Sequence, residues 1–165
     1  MRSLPDPGFA GDDGTASPEV VRALAAYAED PDALHLDTLA VLQHARVLVP
    51  VVAVLGEVEV DEQGLAHDKT SDMATVLMRG RDGRTALLAF SGSETLTRWD
   101  PAARPVPVGA QQAAQAARQD GAEALVLDVA GPVMFVVEGE DLTALAEGWT
   151  LATVSGRRAW VRPGR

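Results

Sequence analysis

The sequence predicts an α+β fold with a mixed, largely antiparallel sheet and helices packed mainly on one side of it. Aliphatic stretches of strand length come in pairs separated by short turns, which is the pattern of hairpins. Amphipathic segments stand between these pairs as separate inserts, which disfavours a doubly wound parallel sheet. Apolar residues make up 47% of the 165-residue chain and aromatic residues 4%, so the core must be aliphatic.

The chain begins with a segment that carries almost no periodic apolar residues. Residues 1–16 are rich in Pro, Gly and Asp, so we expect a mobile leader there, followed by a single domain over 17–165. Ser17, with a proline after it, is placed to cap a first helix. Asp32 is expected to cap a second helix that runs to about His44.

The first strands follow these two helices. Residues 46–55 form a β-branched run that predicts a buried strand, in which Pro50 suggests an edge position or a bulge. Residues 56–72 are acidic and polar, and predict a strand extension that leads into a long exposed loop. Residues 74–79 and 85–90 flank the turn Gly-Arg-Asp-Gly-Arg, so they predict a hairpin.

The second half of the chain continues with short helices and strands. Two prolines require an extended segment after the third helix, because each proline disfavours helix in the residue before it. The predicted elements are, in order, a helix over 93–99, an extended segment over 105–108, a helix over 109–120, strands over 124–129 and 133–137, a helix over 141–147 and a terminal hairpin over 149–162. The order of the strands in the sheet does not follow from these patterns.

The composition excludes several classes of function. The net charge is −10, and residues 1–72 hold 14 acids against 4 bases, a field that would repel a nucleic acid. The longest apolar stretch, 47–55, is far shorter than the roughly 20 residues of a membrane helix, so no membrane association and a cytoplasmic location are expected. The chain has no cysteine, which removes disulfides and thiol chemistry.

Several of the predicted segments form a recognisable ordered series. They are Arg46-Val47-Leu48-Val49-Pro50-Val51, Leu87-Leu88-Ala89-Phe90-Ser91-Gly92-Ser93, Leu96-Thr97-Arg98-Trp99-Asp100-Pro101, Arg104-Pro105-Val106-Pro107-Val108 and Leu125-Val126-Leu127-Asp128-Val129-Ala130-Gly131-Pro132. In this order the set resembles the N-terminal domain of the SseB family, which is named for enhanced serine sensitivity, over roughly residues 18–147. The resemblance implies an α+β domain with no established reaction, cofactor or catalytic residue.

The strongest enzyme candidate is a serine at the start of the third helix. A nucleophile elbow has the pattern Gly-x-Ser-x-Gly, and around Ser93 the two glycine positions hold Ser91 and Thr95. Ser91 with Glu94 three residues later instead predicts a capping box. Anion binding by the free amides of this helix start is a further alternative, which the charge of Glu94 opposes. A small hydrolase or transferase that uses Ser91 or Ser93 therefore stays the alternative to a non-enzymatic role.

Residues suited to metal binding are scattered along the chain. His35 and His44 are nine positions apart and His67 lies in the acidic loop, so no zinc site is predicted. The acids of that loop lack the order of a calcium-binding loop; they are Asp61, Glu62, Asp68 and Asp72. We predict no catalytic residue, no metal site and no cofactor.

These patterns favour a non-enzymatic module that binds a protein partner or a small ligand, whose identity and oligomeric state they do not indicate. Asp128 is expected to fold its side chain back onto the amides of the turn that follows. Trp99 is expected to anchor the third helix to the core, with a partner-binding anchor as the alternative. The candidate binding surface comprises Phe90, Ser91, Ser93, Trp99, Arg104 and Asp128.

Overall fold

A computed structural model describes residue 9 and residues 11–54, 59–60, 66–67 and 72–164 of the chain. Its elements in chain order are α1 (Pro18–Glu29), α2 (Pro31–Leu42), β1 (Arg46–Val54), β2 (Glu59–Val60), β3 (Ala66–His67), β4 (Asp72–Thr75), β5 (Leu77–Arg79), β6 (Thr85–Ala89), α3 (Ser93–Trp99), β7 (Arg104–Gly109), α4 (Ala110–Gln119), β8 (Ala124–Leu127), β9 (Phe135–Glu138), α5 (Gly139–Ala146), β10 (Thr150–Val154) and β11 (Arg157–Val161).

The predicted hairpins are confirmed. Strands β5 and β6, β8 and β9, and β10 and β11 each pair antiparallel. The acidic loop contains a short antiparallel pair, β2 with β3, that the sequence did not predict. Asp61, Glu62 and Asp68 of the acidic loop lie outside the described residues.

Besides the two-stranded pairs β2-β3 and β10-β11, the described strands form two larger sheets that meet at one point. One has the order β5-β6-β8-β9, in which β6 and β8 run parallel, and the other has the order β4-β1-β7. Leu48 of β1 and Phe90 after β6 join them by reciprocal backbone hydrogen bonds of 2.8 Å each. The parallel pair brings the carboxyl ends of β6 and β8 side by side.

The prediction of an edge or a bulge at Pro50 is wrong. Strand β1 pairs with β7 on one side and with β4, from Val51 onward, on the other. The amide of Leu48 faces Phe90, and the nitrogen two residues later points the same way. Pro50 therefore falls in the gap between Phe90 and β4. No described strand faces its nitrogen there, so the sheet loses no hydrogen bond through the missing N–H.

Successive side chains along the strands point alternately into two apolar cores, because neighbouring residues of a strand face opposite sides of the sheet. The larger core combines one strand face with residues of α1, α2, α4 and α5; its strand members include Val47, Val49, Leu87, Ala89, Leu125 and Leu127. The smaller core takes the opposite face together with Leu96 of α3; its strand members are Leu48, Ala86, Leu88, Ala124 and Val126. Packing of the helices mainly on one side is thus confirmed, and the fold is α+β.

Helix α2 begins with a cap that differs from the prediction. The side chain of Asp30, rather than that of Asp32, accepts a hydrogen bond from the amide of Ala33 at 3.3 Å. The helix starts at Pro31, two residues earlier than expected, because proline suits the first helical position. Ser17 occupies the N-cap position of α1, although its side chain makes no capping bond. No helix in the described ranges is long and apolar enough to cross a membrane.

The terminal hairpin is attached to α2 by the ion pair of Arg158 with Asp37, at 2.8 Å, and by the side chain of Gln43. The Gln43 amide nitrogen donates to the carbonyl of Leu151 at 3.0 Å, and the Leu151 amide donates to the Gln43 carbonyl oxygen at 2.8 Å. The side chain therefore replaces a neighbouring strand at a buried position.

We expect Gln43→Ala to lower the free energy of unfolding by about 2 kcal/mol, because both backbone groups of Leu151 lose their partner. Chemical denaturation measures this loss, and amide exchange at Leu151 locates it. Gln119→Ala, at an exposed position on α4, is the control. Equal stability of the two variants would contradict this account of how the hairpin is attached.

Candidate functional site

A buried carboxylate lies where the parallel strands β6 and β8 end. Asp128, the residue after β8, is 1% exposed and its amide donates to the carbonyl of Ala89 at 3.0 Å. The carboxylate accepts hydrogen bonds from the amide of Ser91 at 2.8 Å, from the Ser91 hydroxyl at 2.7 Å and from the Thr95 hydroxyl at 2.7 Å. It therefore joins the end of β6, the first turn of α3 and the end of β8.

Two predictions about these residues are wrong. The N-cap of α3 is Gly92 without a side-chain hydrogen bond, so Ser91 and Glu94 do not form a capping box. Ser91 stands one residue before the cap position, and its hydroxyl donates to Asp128 at 2.7 Å. Asp128 does not bind the amides of its own turn. Its backbone carbonyl accepts from the amide of Gly131 at 2.9 Å and closes that turn.

Residues 11–16, which we call the N-terminal strap, pass over the start of α3. The carbonyl of Gly14 accepts a hydrogen bond of 2.7 Å from the amide of Ser93. Gly92 packs so closely that a Cβ there would lie 2.7 Å from the nitrogen of Ala16. The sequence assigns residues 1–16 to a mobile leader; residues 1–8 and 10 of that leader lie outside the described residues, and mobility stays a prediction.

Arg46, the first residue of β1, holds the strap in place. Its guanidinium pairs with the carboxylate of Asp12 at 2.6 and 3.0 Å, and the two side chains are 13% and 14% exposed. The same guanidinium donates to the carbonyl of Thr15 at 2.7 Å and to that of Ser91 at 3.0 Å. Arg46 thus links the strap to the residue that Asp128 holds.

These elements line a cavity of about 560 Å³ beside the carboxyl ends of β6 and β8. Its apolar side includes Leu24 and Ala25 of α1 and Val133 of the turn before β9. Its polar residues come from the strap, from the α3 segment and from the end of β8; they are Asp13, Thr15, Ser91, Ser93, Glu94, Thr95, Arg98 and Asp128. The cavity therefore has an apolar wall and a polar end.

Asp13 stands at the polar end of the cavity and stays ionised to lower pH than an ordinary aspartate. Its carboxylate accepts a hydrogen bond of 2.8 Å from the amide of Thr15. The hydrogen bonds from Thr15, the backbone one first, lower the pKa of Asp13 below its usual value. The ionised Asp13 carboxylate therefore stabilises this turn fully at pH values above the usual aspartate pKa. This stabilisation is lost as the pH falls through the lowered pKa of Asp13.

The residues of the candidate binding surface divide between two places. Ser91, Ser93 and Asp128 come together at the cavity. Phe90 is fully buried on the opposite face of the sheet, where the partly buried ring of Trp99 lies against it with 5.5 Å between ring centroids. Arg104 is exposed at the start of β7. Whether any of them contacts a partner stays a prediction.

No histidine is hydrogen-bonded to Ser91 or Ser93 in the part of the chain that the structure describes. His35 stacks on Phe135 at 4.9 Å between ring centroids, and its Nε2 atom lies 3.3 Å from the carboxylate of Asp141. The side chain of His67 lies outside the described residues. No group of three or more potential metal ligands occurs among the residues that were described.

Three participants in this site were missed by the sequence reasoning. Thr95 had been considered as a departure from an elbow motif, Arg46 as the start of a strand, and Asp12 as part of the leader. A charged residue at the first position of a buried strand was the one usable signal, because an arginine there needs a partner. Nothing in the local pattern identified Asp12 as that partner.

The fold and the site together define an α+β domain with a small cavity at the carboxyl ends of two parallel strands. Comparison with family models gives a match to the SseB protein N-terminal domain over residues 20–144. The chain therefore belongs to the SseB family, as the ordered motifs indicate. The strap and the terminal hairpin lie outside the matched range. Comparisons with curated proteins and with solved structures give no match.

Proposed function

We propose that this SseB-family chain is a non-enzymatic binding module that takes a small ligand into the cavity between α1, the strap and the start of α3. The observation that carries the proposal is the position of the cavity at the carboxyl ends of β6 and β8. Ligand sites in open sheets with parallel strands recur at this position. The volume of about 560 Å³ is in the usual range for small-molecule sites.

The lining indicates the chemistry of the ligand. Leu24, Ala25 and Val133 offer an apolar wall, while Ser93 and Arg98 are among the polar residues of the lining. A small molecule with an apolar body and one polar end fits this arrangement, because each part meets a wall of its own kind. Asp128 supports the site indirectly, since its carboxylate already accepts three hydrogen bonds.

A serine-dependent hydrolase or transferase is the alternative, and the geometry supports it less well. A serine nucleophile needs a base within hydrogen-bond reach. The Ser91 hydroxyl donates to a carboxylate that also accepts from the Ser91 amide and the Thr95 hydroxyl, and Ser91 is 4% exposed, so it offers little surface to a substrate. Turnover of an activated ester that Ser93→Ala abolishes would favour the enzyme over the binding module.

A fragment screen by NMR tests the binding proposal. We expect small amphipathic fragments to shift the methyl signals of Leu24 and Val133, and Ala25→Phe to abolish these shifts by filling the cavity. Ala26→Phe is the matched control, because Ala26 is the adjacent exposed residue of the same helix and does not line the cavity. Fragments that bind elsewhere, or that Ala25→Phe does not displace, would contradict the proposal.

A further inference from the structure

We infer that the N-terminal strap is a lid on the cavity, and that the ion pair of Arg46 with Asp12 is its latch. The inference rests on the proposed function, since a lid matters where the cavity takes a ligand. Strap residues Asp13, Gly14, Thr15 and Ala16 form one wall of the cavity.

The strap is attached by a small set of polar contacts. Arg46 binds the Asp12 carboxylate and the Thr15 carbonyl, and the Ser93 amide binds the Gly14 carbonyl. Strap residues Asp12 and Asp13 are otherwise bonded locally, to amides two positions along. Such an attachment can open as a unit, because its polar contacts among the described residues are few and no strap residue belongs to either apolar core.

The domain does not depend on the strap for its main cores. The members of both apolar cores begin at Val20, after the strap has ended. The carboxylate of Asp128 is satisfied by Ser91 and Thr95, and neither belongs to the strap. Release of the strap therefore widens the cavity entrance and leaves the fold in place.

Gly92 provides a selective way to open the lid. The three heavy atoms nearest to an added Cβ belong to Ala16 and Gly14, at 2.7, 3.0 and 3.0 Å. The backbone of Gly92 is extended, with φ of −166°, so alanine is not strained there. Gly92→Ala therefore pushes on the strap.

Gly109 is the matched control. It is also an N-cap glycine with extended backbone, and its added Cβ would meet nothing closer than 3.9 Å. The amide after it, that of Ala110, donates to the carbonyl of Ala45, as the amide of Ser93 donates to Gly14. Gly109→Ala thus reproduces the substitution without the collision.

Amide hydrogen exchange at Ser93 measures the lid directly. We expect Gly92→Ala and Asp12→Ala to raise the exchange rate of Ser93 by about tenfold or more, while the Ser91 amide, bound to Asp128, keeps its rate. Gly109→Ala is expected to leave Ser93 and Ala110 unchanged. An unchanged Ser93 rate in both Gly92→Ala and Asp12→Ala, or an equal rise at Ser91, would overturn the lid.

Binding of the dye 1-anilinonaphthalene-8-sulfonate tests gating. We expect its association rate to rise severalfold in Gly92→Ala and to stay at the wild-type value in Gly109→Ala. Faster exchange at Ser93 with unchanged dye association would overturn the gating role alone. Ala25→Phe is expected to block the dye in the wild type and in both glycine variants. If it blocks the dye in none of them, the dye does not bind in the cavity, and both the proposed function and the gating role are overturned.

Discussion

Asp128→Ala is expected to lower the free energy of unfolding by about 3–5 kcal/mol. The substitution removes three hydrogen bonds to a buried carboxylate and leaves the Ser91 amide without a partner. It also places alanine at a backbone φ of 56°, a left-handed conformation that costs about 1–2 kcal/mol and that aspartate and asparagine tolerate better. Urea denaturation measures the loss.

Two further variants separate the carboxylate network from a general effect of substitution. Asp128→Asn keeps an acceptor oxygen for the Ser91 amide and the tolerance of positive φ, so we expect a loss of about 1 kcal/mol. Asp82→Ala removes an exposed turn carboxylate that accepts one amide, that of Arg84, and is expected to cost less than about 1 kcal/mol. Equal losses for the alanine and asparagine variants at position 128 would contradict the network as described.

Trp99→Ala is expected to lower the free energy of unfolding by about 2–4 kcal/mol. The ring packs against Phe90, whose side chain has no exposed surface, and it covers the smaller core that α3 closes with Leu96. Removal of the ring opens this core to water. Trp99→Phe keeps an aromatic ring in contact with Phe90 and is expected to lose less than half as much.

The same pair of variants tests the partner-anchor alternative for Trp99. Trp99 is partly buried, so part of the residue stays accessible to solvent. Pull-down experiments with Trp99→Phe compare partners in a folded background. A partner that the wild type binds and Trp99→Phe does not would identify Trp99 as an anchor. If both proteins bind the same partners and Trp99→Ala loses the expected stability, Trp99 is a core residue.

Local patterns predicted most of the secondary structure. The hairpins β5–β6 and β10–β11 were recognised because turn residues with special backbone requirements separate two aliphatic runs, and this signal needs no distant partner. Helix α4 was recognised by its alanines, of which Ala110, Ala113, Ala114 and Ala117 are buried. The errors at Pro50 and Asp32 were local as well, since several turn and strand geometries suit a proline or an aspartate.

The sequence predicted several residues of the site, but it did not predict the hydrogen bonds between them. Ser91, Ser93 and Asp128 were chosen as candidates, yet Ser91 was assigned to a helix cap and Asp128 to its own turn. Each has a plausible local partner within three residues, and the sequence offers no means to compare that partner with one 37 positions away. Whether the Ser91 hydroxyl binds Asp128 depends on the parallel pairing of β6 and β8.

Periodicity and turn residues in the sequence were sufficient for the α+β class, because each is expressed over a few neighbouring residues. The family followed from the resemblance of an ordered series of motifs spread over most of the chain. The strand order, the carboxylate network and the docking of the strap on Arg46 were decided by the folded chain. These features depend on which distant polar groups become neighbours once the apolar faces are buried, and a buried charge accepts whichever partner the packing brings within reach.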